Sequence, residues 1–493
     1  MSDIPNIVFI ISDHHRFDYM GCGGADFIHT PNLDALAARG TRVDGMYSTT
    51  PLCVPQRIAI TAGRYPHNTG CFSNRHPVNP SIPTFLHQLR GVGVHTAMIG
   101  KLHHHVHVLD ANFIGHESDI RRLGYDTAHE TSGKQGVSTI RCHCRYAEFL
   151  QSKGLLEPYR KWTGTWGSKR AVNEPWPFSD ETTQDAYIAR KAIEFIEHAP
   201  KDQPFYLHLG FVGPHPQFDA PQRFREFYRD AIPPSAVGHV SEGAHQPAPG
   251  SKTSQFPEPD HEDERSRVET WRAFAACITE VDHYIGKVIL ALEESGHADN
   301  TIILYTSDHG EMMGDHGRNG KGVFYEPSIH VPLIAAGPGI PENRKVEALA
   351  ELIDIGKTVC DFQNAESHHF DQGVSMRPAL TGFAETCRED VFAEMGSDKM
   401  LFDGRYKLMY GDLVHDTRRE YQESPYHGPA FGRPVNLPPD RLSLYDLKND
   451  PDETRNLAEE AGGAELLETM KTKLLNRLIA NMQAVPEDSG SVM

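Results

Sequence analysis

Asn6-Ile7-Val8-Phe9-Ile10-Ile11-Ser12-Asp13 and Thr301-Ile302-Ile303-Leu304-Tyr305-Thr306-Ser307-Asp308 share one design: an apolar run that ends in serine and then a carboxylate. Runs of this length with no polar alternation read as strands buried on both faces, the habit of parallel sheets. The stretches 94–99, 205–212 and 331–335 have the same character. Helical patterns lie between them. Thr30-Pro31 opens a helix that Gly40 closes, and 182–198 carries apolar residues at helical spacing. The segment 266–295 is long and amphipathic, with Trp271, Phe274, Ile278, Val281, Ile285 and Ile289 on one face. Alternating strands and helices predict an α/β fold, a large and mainly parallel sheet sandwiched by helices.

Past about residue 375 the texture changes. Short runs at 391–394, 400–402, 406–410 and 442–446 alternate with turn residues, and a helical pattern follows at 464–482. These predict a smaller C-terminal antiparallel sheet with a helix against it. The expected division is a catalytic unit, 1–375, and an α+β unit, 376–493. Within the first, about 232–264 is rich in Pro, Ser, His and acids and reads as an insertion or lid.

Composition narrows the class. The chain has 493 residues, 39% hydrophobic and 23% charged, which suits a soluble globular enzyme. A formal charge of −19 argues against nucleic acid and anionic membranes as partners, so an anionic substrate needs a local positive cluster. No stretch reaches the ~20 apolar residues of a membrane span. The start lacks a basic region, and the apolar run at 7–11 is too short for a signal peptide. Eight cysteines show no disulfide framework. Cys142-His143-Cys144 is too tightly spaced to complete a tetrahedral metal site unaided. A cytoplasmic location with reduced thiols is the expectation; the sequence leaves a homo-oligomer open.

Chemistry gathers at strand ends. In an open α/β sheet, ligands bind outside the carboxyl ends of the strands. Asp13 is followed by His14 and His15, and Asp308 by His309. A single Asp after a strand is commonly a helix N-cap. Two Asp-His ends on neighbouring strands make a divalent-metal site. Cys53-Val54-Pro55-Gln56-Arg57 adds a nucleophile-type residue before a proline suited to a first helical position, with an arginine one turn on. That places Cys53 at the positive end of a helix dipole, where an anion is favoured. A small buried cysteine beside a helix start is the other reading, and the pentapeptide alone supports both.

Extended through Thr61-Ala62-Gly63-Arg64, this stretch resembles the signature of the type I sulfatases, whose cysteine is oxidised to formylglycine. Position 56 is usually small in that family and is Gln here. The resemblance is supported in order along the chain by the acidic end at Asp13, Gly100-Lys101-Leu102-His103, Gly213-Pro214-His215, Asp308-His309-Gly310-Glu311, Gly320-Lys321 with Tyr325-Glu326, and Leu444-Tyr445-Asp446. His14 stands where many members carry a second Asp, which shifts the preference from calcium toward manganese or another transition metal.

The resemblance implies an alkaline-phosphatase-like fold and a sulfuric ester hydrolase. One divalent cation, Ca2+ or Mn2+, is held by Asp13, His14, Cys53, Asp308 and His309. A hydrated formylglycine made from Cys53 by a formylglycine-generating enzyme is the nucleophile on that metal. Arg57, Lys101 and Lys321 stabilise anionic oxygens, His215 protonates the leaving oxygen, and His103 is the base that collapses the intermediate. The substrate expected is a small-molecule or saccharide sulfate ester. Two alternatives remain: a phosphonate monoester or phosphodiester hydrolase of the same fold, and a non-catalytic anion- or glycan-binding relative with unmodified Cys53. His104, His105 and His107 read either as a second metal cluster or as exposed and pocket-lining residues.

Overall fold

A computed structural model describes residues 4–74, 78–104, 112–138, 141–164, 173–238, 264–411, 442–460 and 462–482. Eight strands form one sheet: β1 Asn6–Ser12, β2 Gly40–Tyr47, β3 His95–Gly100, β4 Thr127–Glu130, β5 Phe205–Gly210, β6 Thr301–Ser307, β7 Leu333–Ala336 and β8 Arg344–Glu351, in the order β4-β3-β5-β1-β6-β7-β2-β8. All neighbours are parallel except β7, which runs against both β6 and β2. The sheet is mainly parallel, as the sequence predicts.

The central strand explains why continuous apolar runs mattered. Every residue of β1 is buried, and alternate side chains leave by opposite faces. Val8 and Ile10 pack with the helices Gln184–His198 and Glu264–Glu294, whereas Ile7, Phe9 and Ile11 join the core under the helices Phe85–Gly91 and Asp354–Phe362. Burying one such side chain contributes about 1.5–3 kcal/mol. The helix Gln184–His198 starts at Thr183, whose side chain accepts the N–H of Ala186.

Four later strands, β9 Val391–Met395, β10 Asp398–Phe402, β11 Tyr406–Tyr410 and β12 Leu442–Asp446, make an antiparallel sheet in the order β12-β11-β10-β9. Met470 and Leu474 of the helix Ala464–Asn481 pack on Phe392, Leu401, Leu408 and Leu444. The second sheet and its helix match the expectation for this end of the chain.

Two local readings need correction. Gly40 does not close the first helix, which spans Pro31–Ala38; it begins β2. A Cβ there would lie 2.1 Å from the carbonyl oxygen of Ala335, so glycine is required by the approach of β7. Pro55 is not the first helical residue. The helix is Cys53–Ala62, so Pro55 is its third, a position whose N–H is unpaired in any helix. Most of the expected 232–264 insertion lies outside the described residues. Among the described residues, no helix is long and apolar enough to cross a membrane.

Candidate active site

The site forms where β1 and β6 run side by side. Ser12 pairs with Ser307, so Asp13 and Asp308 leave the sheet together. Both carboxylates are fully buried. The helix Cys53–Ala62 points its first residue at them. Cys53 Sγ lies 3.7 Å from Asp13 Oδ1 and 3.3 Å from His309 Nε2. Asp13, His14, Cys53 and His309 each offer a ligand atom within 4.8 Å of the others. Asp308 stands beside this group, one oxygen 3.6 Å from His309 Nε2. The other accepts from Arg57 Nε at 2.8 Å.

Arg57 is wholly buried and faces inward. Besides Asp308, it donates to the carbonyl oxygens of Lys101 at 2.8 Å and Ser12 at 3.4 Å, and lies 3.7 Å from Asp13 Oδ2. Lys101 donates to Asp13 Oδ2. It enters the site because β3 and β5 end in glycines: a Cβ on Gly100 would meet the carbonyl oxygen of Gly210 at 2.1 Å, and one on Gly210 that of Lys101 at 2.2 Å. Lys321 donates to Cys53 Sγ at 2.8 Å and His14 Nε2 at 2.6 Å. The His215 ring is 4.6 Å from that of His14, and His309 is 4.5 Å away on the same ring. His103 is held at φ +66° by its N–H, which donates to Glu130 Oε1 at 2.9 Å. His104 is buried and bonded to Thr61, whereas His105 and His107 lie outside the described residues.

Three buried residues beyond the sequence candidates complete the arrangement. Glu311 Oε2 lies 2.7 Å from His14 Nδ1 and its other oxygen accepts the N–H of Gly320, beside Lys321. Glu311 sits three residues after Asp308, a spacing that could have drawn attention to it. Glu130 ends β4. Gln56 Oε1 accepts from Ser48 Oγ at 2.9 Å, Thr49 Oγ1 at 3.1 Å and the N–H of Thr50 at 2.9 Å. Only their tertiary neighbours reveal what Glu130 and Gln56 do.

Charge sets the protonation states. Burial opposes ionisation of Asp13, but Lys101, His215, Arg57 and Lys321 outweigh it and hold its carboxyl well below the usual range. Burial, then the Asp13 charge, pushes the Cys53 thiol up against the pull of Lys321 and Lys101. Burial lowers His14 well below its ordinary value, helped by Lys321, His309 and His215, and lowers His309 to about 4. A neutral His14 that gives its Nδ1 proton to Glu311 presents the Nε2 lone pair inward. His309 Nδ1 lies 3.0 Å from the carbonyl oxygen of Gly310, which orients its ring the same way. One carboxylate, two imidazole nitrogens and a sulfur gathered within 4.8 Å of one another could hold a metal ion.

A family model described as Sulfatase matches residues 5–364. In sequence the chain is similar to an arylsulfatase of Clostridium perfringens (strain 13 / Type A), 27% identical over 486 residues that cover 96% of this chain and 94% of that protein. A choline-sulfatase of Rhizobium meliloti (strain 1021) is 28% identical over 490 residues, covering 93% and 83%. Among solved structures it is similar to a phosphonate monoester hydrolase from Silicibacter pomeroyi, with a TM-score of 0.75, 23% identity, and 98% and 97% of the two chains covered. A structure solved in complex with D-glucosamine-2-N,6-O-disulfate gives 0.71, 21%, 99% and 100%. At these identities the structural likeness speaks for the fold.

Proposed function

The chain belongs to the sulfatase family, and from that membership we propose a sulfuric ester hydrolase centred on Cys53, oxidised to formylglycine, with one divalent cation beside it. The observation that carries this reading is convergence. A buried Cys53 at a helix start meets two strand-end aspartates, two imidazoles and two lysines drawn from four other parts of the chain.

Asp13, His14, Asp308, His309 and the side chain at position 53 are the residues that would hold the cation. A set mixing imidazole with carboxylate favours manganese over an all-oxygen calcium site. When present, the cation and the hydrated aldehyde supply Lewis-acid polarisation and a nucleophile with its own exit route.

The chain's own side chains do the rest. Lys101 and Lys321 put two ammonium groups against the reacting position and balance the sulfate charge within a chain of net charge −19. Arg57 spends its donors on Asp308 and on backbone, so it fixes the two carboxylates in place. Glu311 keeps the Nδ1 proton of His14 turned outward. We assign His215 as the proton donor to the leaving alcohol, the role of its imidazolium form, which burial opposes and the neighbouring Asp13 carboxylate favours, and His103 as the base. We take 1–375 as the catalytic unit and 376–493 as its brace. Lys407 of β11 supports this division, donating to the carbonyl oxygen of Phe324 at 3.1 Å just beyond Lys321 and pairing with Glu326 at 2.6 Å.

Intact-peptide mass spectrometry after coexpression with a formylglycine-generating enzyme tests the nucleophile. The peptide containing residue 53 should lose about 18 Da. The modified protein should then hydrolyse aryl sulfates, faster with manganese than with calcium. Aryl phosphonate monoesters carry the same single charge and should be slower. An unchanged peptide mass with no turnover supports a binding protein instead, and faster phosphonate hydrolysis reverses the substrate assignment.

A further inference from the structure

Behind the His215 loop lies a buried ionic cluster that the mechanism above does not use. The loop runs from Val212 to Asp219, between the end of β5 and the next short helix. At its near end Asp185, second residue of the helix Gln184–His198, accepts the N–H of Val212 at 2.8 Å on Oδ1 and of Gly213 at 3.1 Å on Oδ2. The carbonyl oxygen of Gly213 in turn accepts the N–H of Asp13 at 3.0 Å. At its far end Lys134 Nζ donates to the carbonyl oxygen of Gln217 at 3.1 Å and to Asp219 Oδ1 at 2.5 Å. Lys134, Asp185, Asp219 and Glu280 line one enclosed cavity of about 10 Å³, room for a single water. They are 4%, 2%, 7% and 2% exposed, and Glu280 Oε1 has no partner.

Packing alone does not call for such a group. Burying ions costs several kcal/mol each, and apolar side chains would anchor a loop as well. What charged groups add is direction: Asp185 fixes two backbone N–H groups before His215, and Lys134 fixes the carbonyl of Gln217 and the side chain of Asp219 after it. The N–H of His215 itself bonds the carbonyl oxygen of Val212 at 3.2 Å, the residue whose own N–H Asp185 holds.

We propose that Asp185 and the Lys134–Asp219 pair are positioning residues that aim the His215 imidazole at the leaving-group oxygen. The proposal rests on His215 being the proton donor. Asp185→Asn keeps the side chain's shape but turns an acceptor into a donor facing the N–H of Gly213. Lys134→Met keeps the stem and removes both bonds to the far end.

The test is kcat/KM of the modified, metal-loaded enzyme across aryl sulfates whose phenols range from strongly to weakly acidic. Proton donation matters most for the weakly acidic phenols. Asp185→Asn and Lys134→Met should each lose about 100-fold on those esters and only a few-fold on the esters of acidic phenols. The double variant Asp185→Asn/His215→Ala should be no slower than His215→Ala alone. A uniform loss across the series, or losses that multiply in the double variant, overturns the proposal and leaves these residues as scaffold. If His215→Ala itself loses evenly across the series, the proton-donor reading fails first and takes this one with it. Lys134→Met keeps the question answerable if Asp185→Asn does not fold.

Discussion

Arg57→Met is the most informative single change. Arg57 has no exposure, donates to Asp308 Oδ2 at 2.8 Å and to the carbonyl oxygen of Lys101 at 2.8 Å, and its charge lies 3.7 Å from Asp13 Oδ2. Methionine keeps the aliphatic stem, so the cavity term is small. What is lost is the counter-charge to a buried carboxylate and the donors to two buried oxygens. Removing one partner of such a pair costs about 3–5 kcal/mol. Equilibrium urea unfolding in chelator should show that loss as a lower midpoint with an unchanged slope. A divalent cation held by the candidate ligands would replace the missing charge, so manganese at about 100 times its dissociation constant should return about 2.7 kcal/mol. Asp308→Asn in the same background should also recover part of the loss, since it removes the orphaned charge. A cost under about 1 kcal/mol in chelator, or no recovery in manganese, refutes the picture of Arg57 as the clamp on two metal-facing carboxylates.

Three other outcomes follow from the geometry. Burial raises the Glu130 carboxyl from 4.5 to about 8, so between those values the folded state binds more protons than the unfolded one and stability falls as pH rises; the stability difference between wild type and Glu130→Gln should decline by a few kcal/mol from about pH 5 to pH 8, and a flat difference counts against it. Gln56→Ser strips the acceptor from the N–H of Thr50 and the hydroxyl of Thr49 and leaves a void, a loss of about 3 kcal/mol by denaturation, whereas a loss below 1 kcal/mol means the 48–50 loop finds other partners. Gly40→Ala sets a methyl group 2.1 Å from the carbonyl oxygen of Ala335, forcing β2 and β7 apart; little soluble protein should accumulate, and a normal melting temperature would refute the close approach.

The parts legible in the sequence are those that follow from one-dimensional pattern. β1, β5 and β6 are buried at every position, so they read as uninterrupted apolar runs. β2 did not, because Gly-Thr-Arg-Val-Asp-Gly-Met-Tyr carries a charge pair, Arg42 and Asp44, that bond each other at 2.6 Å beside the sheet. β4 is four residues long and β8 alternates as an edge strand does, with Lys345 and Glu347 exposed. Asp13 and Asp308 could be found because strand ends are marked by the runs before them. Glu311 finds its histidine 297 residues away, Glu130 acts through a backbone N–H, and Gln56 through one backbone N–H and two nearby hydroxyls, contacts that residue type alone does not mark. Pro55 was misplaced by two residues because the helix begins on Cys53, with no polar side chain to mark its start.

The helix that carries Cys53 is buried at all ten residues, and the sulfur's residue is 1% exposed. In the folded molecule the Cys53 side chain offers almost no surface to a second protein. Yet β1 is flanked by strands beginning at Phe205 and Thr301, so the pocket cannot close until the ribosome has made both. At about 5–20 residues per second that leaves the thiol reachable for on the order of tens of seconds during synthesis. If Cys53 is oxidised as proposed, the order of the strands would act as a timer, leaving the thiol within reach until β5 and β6 are made.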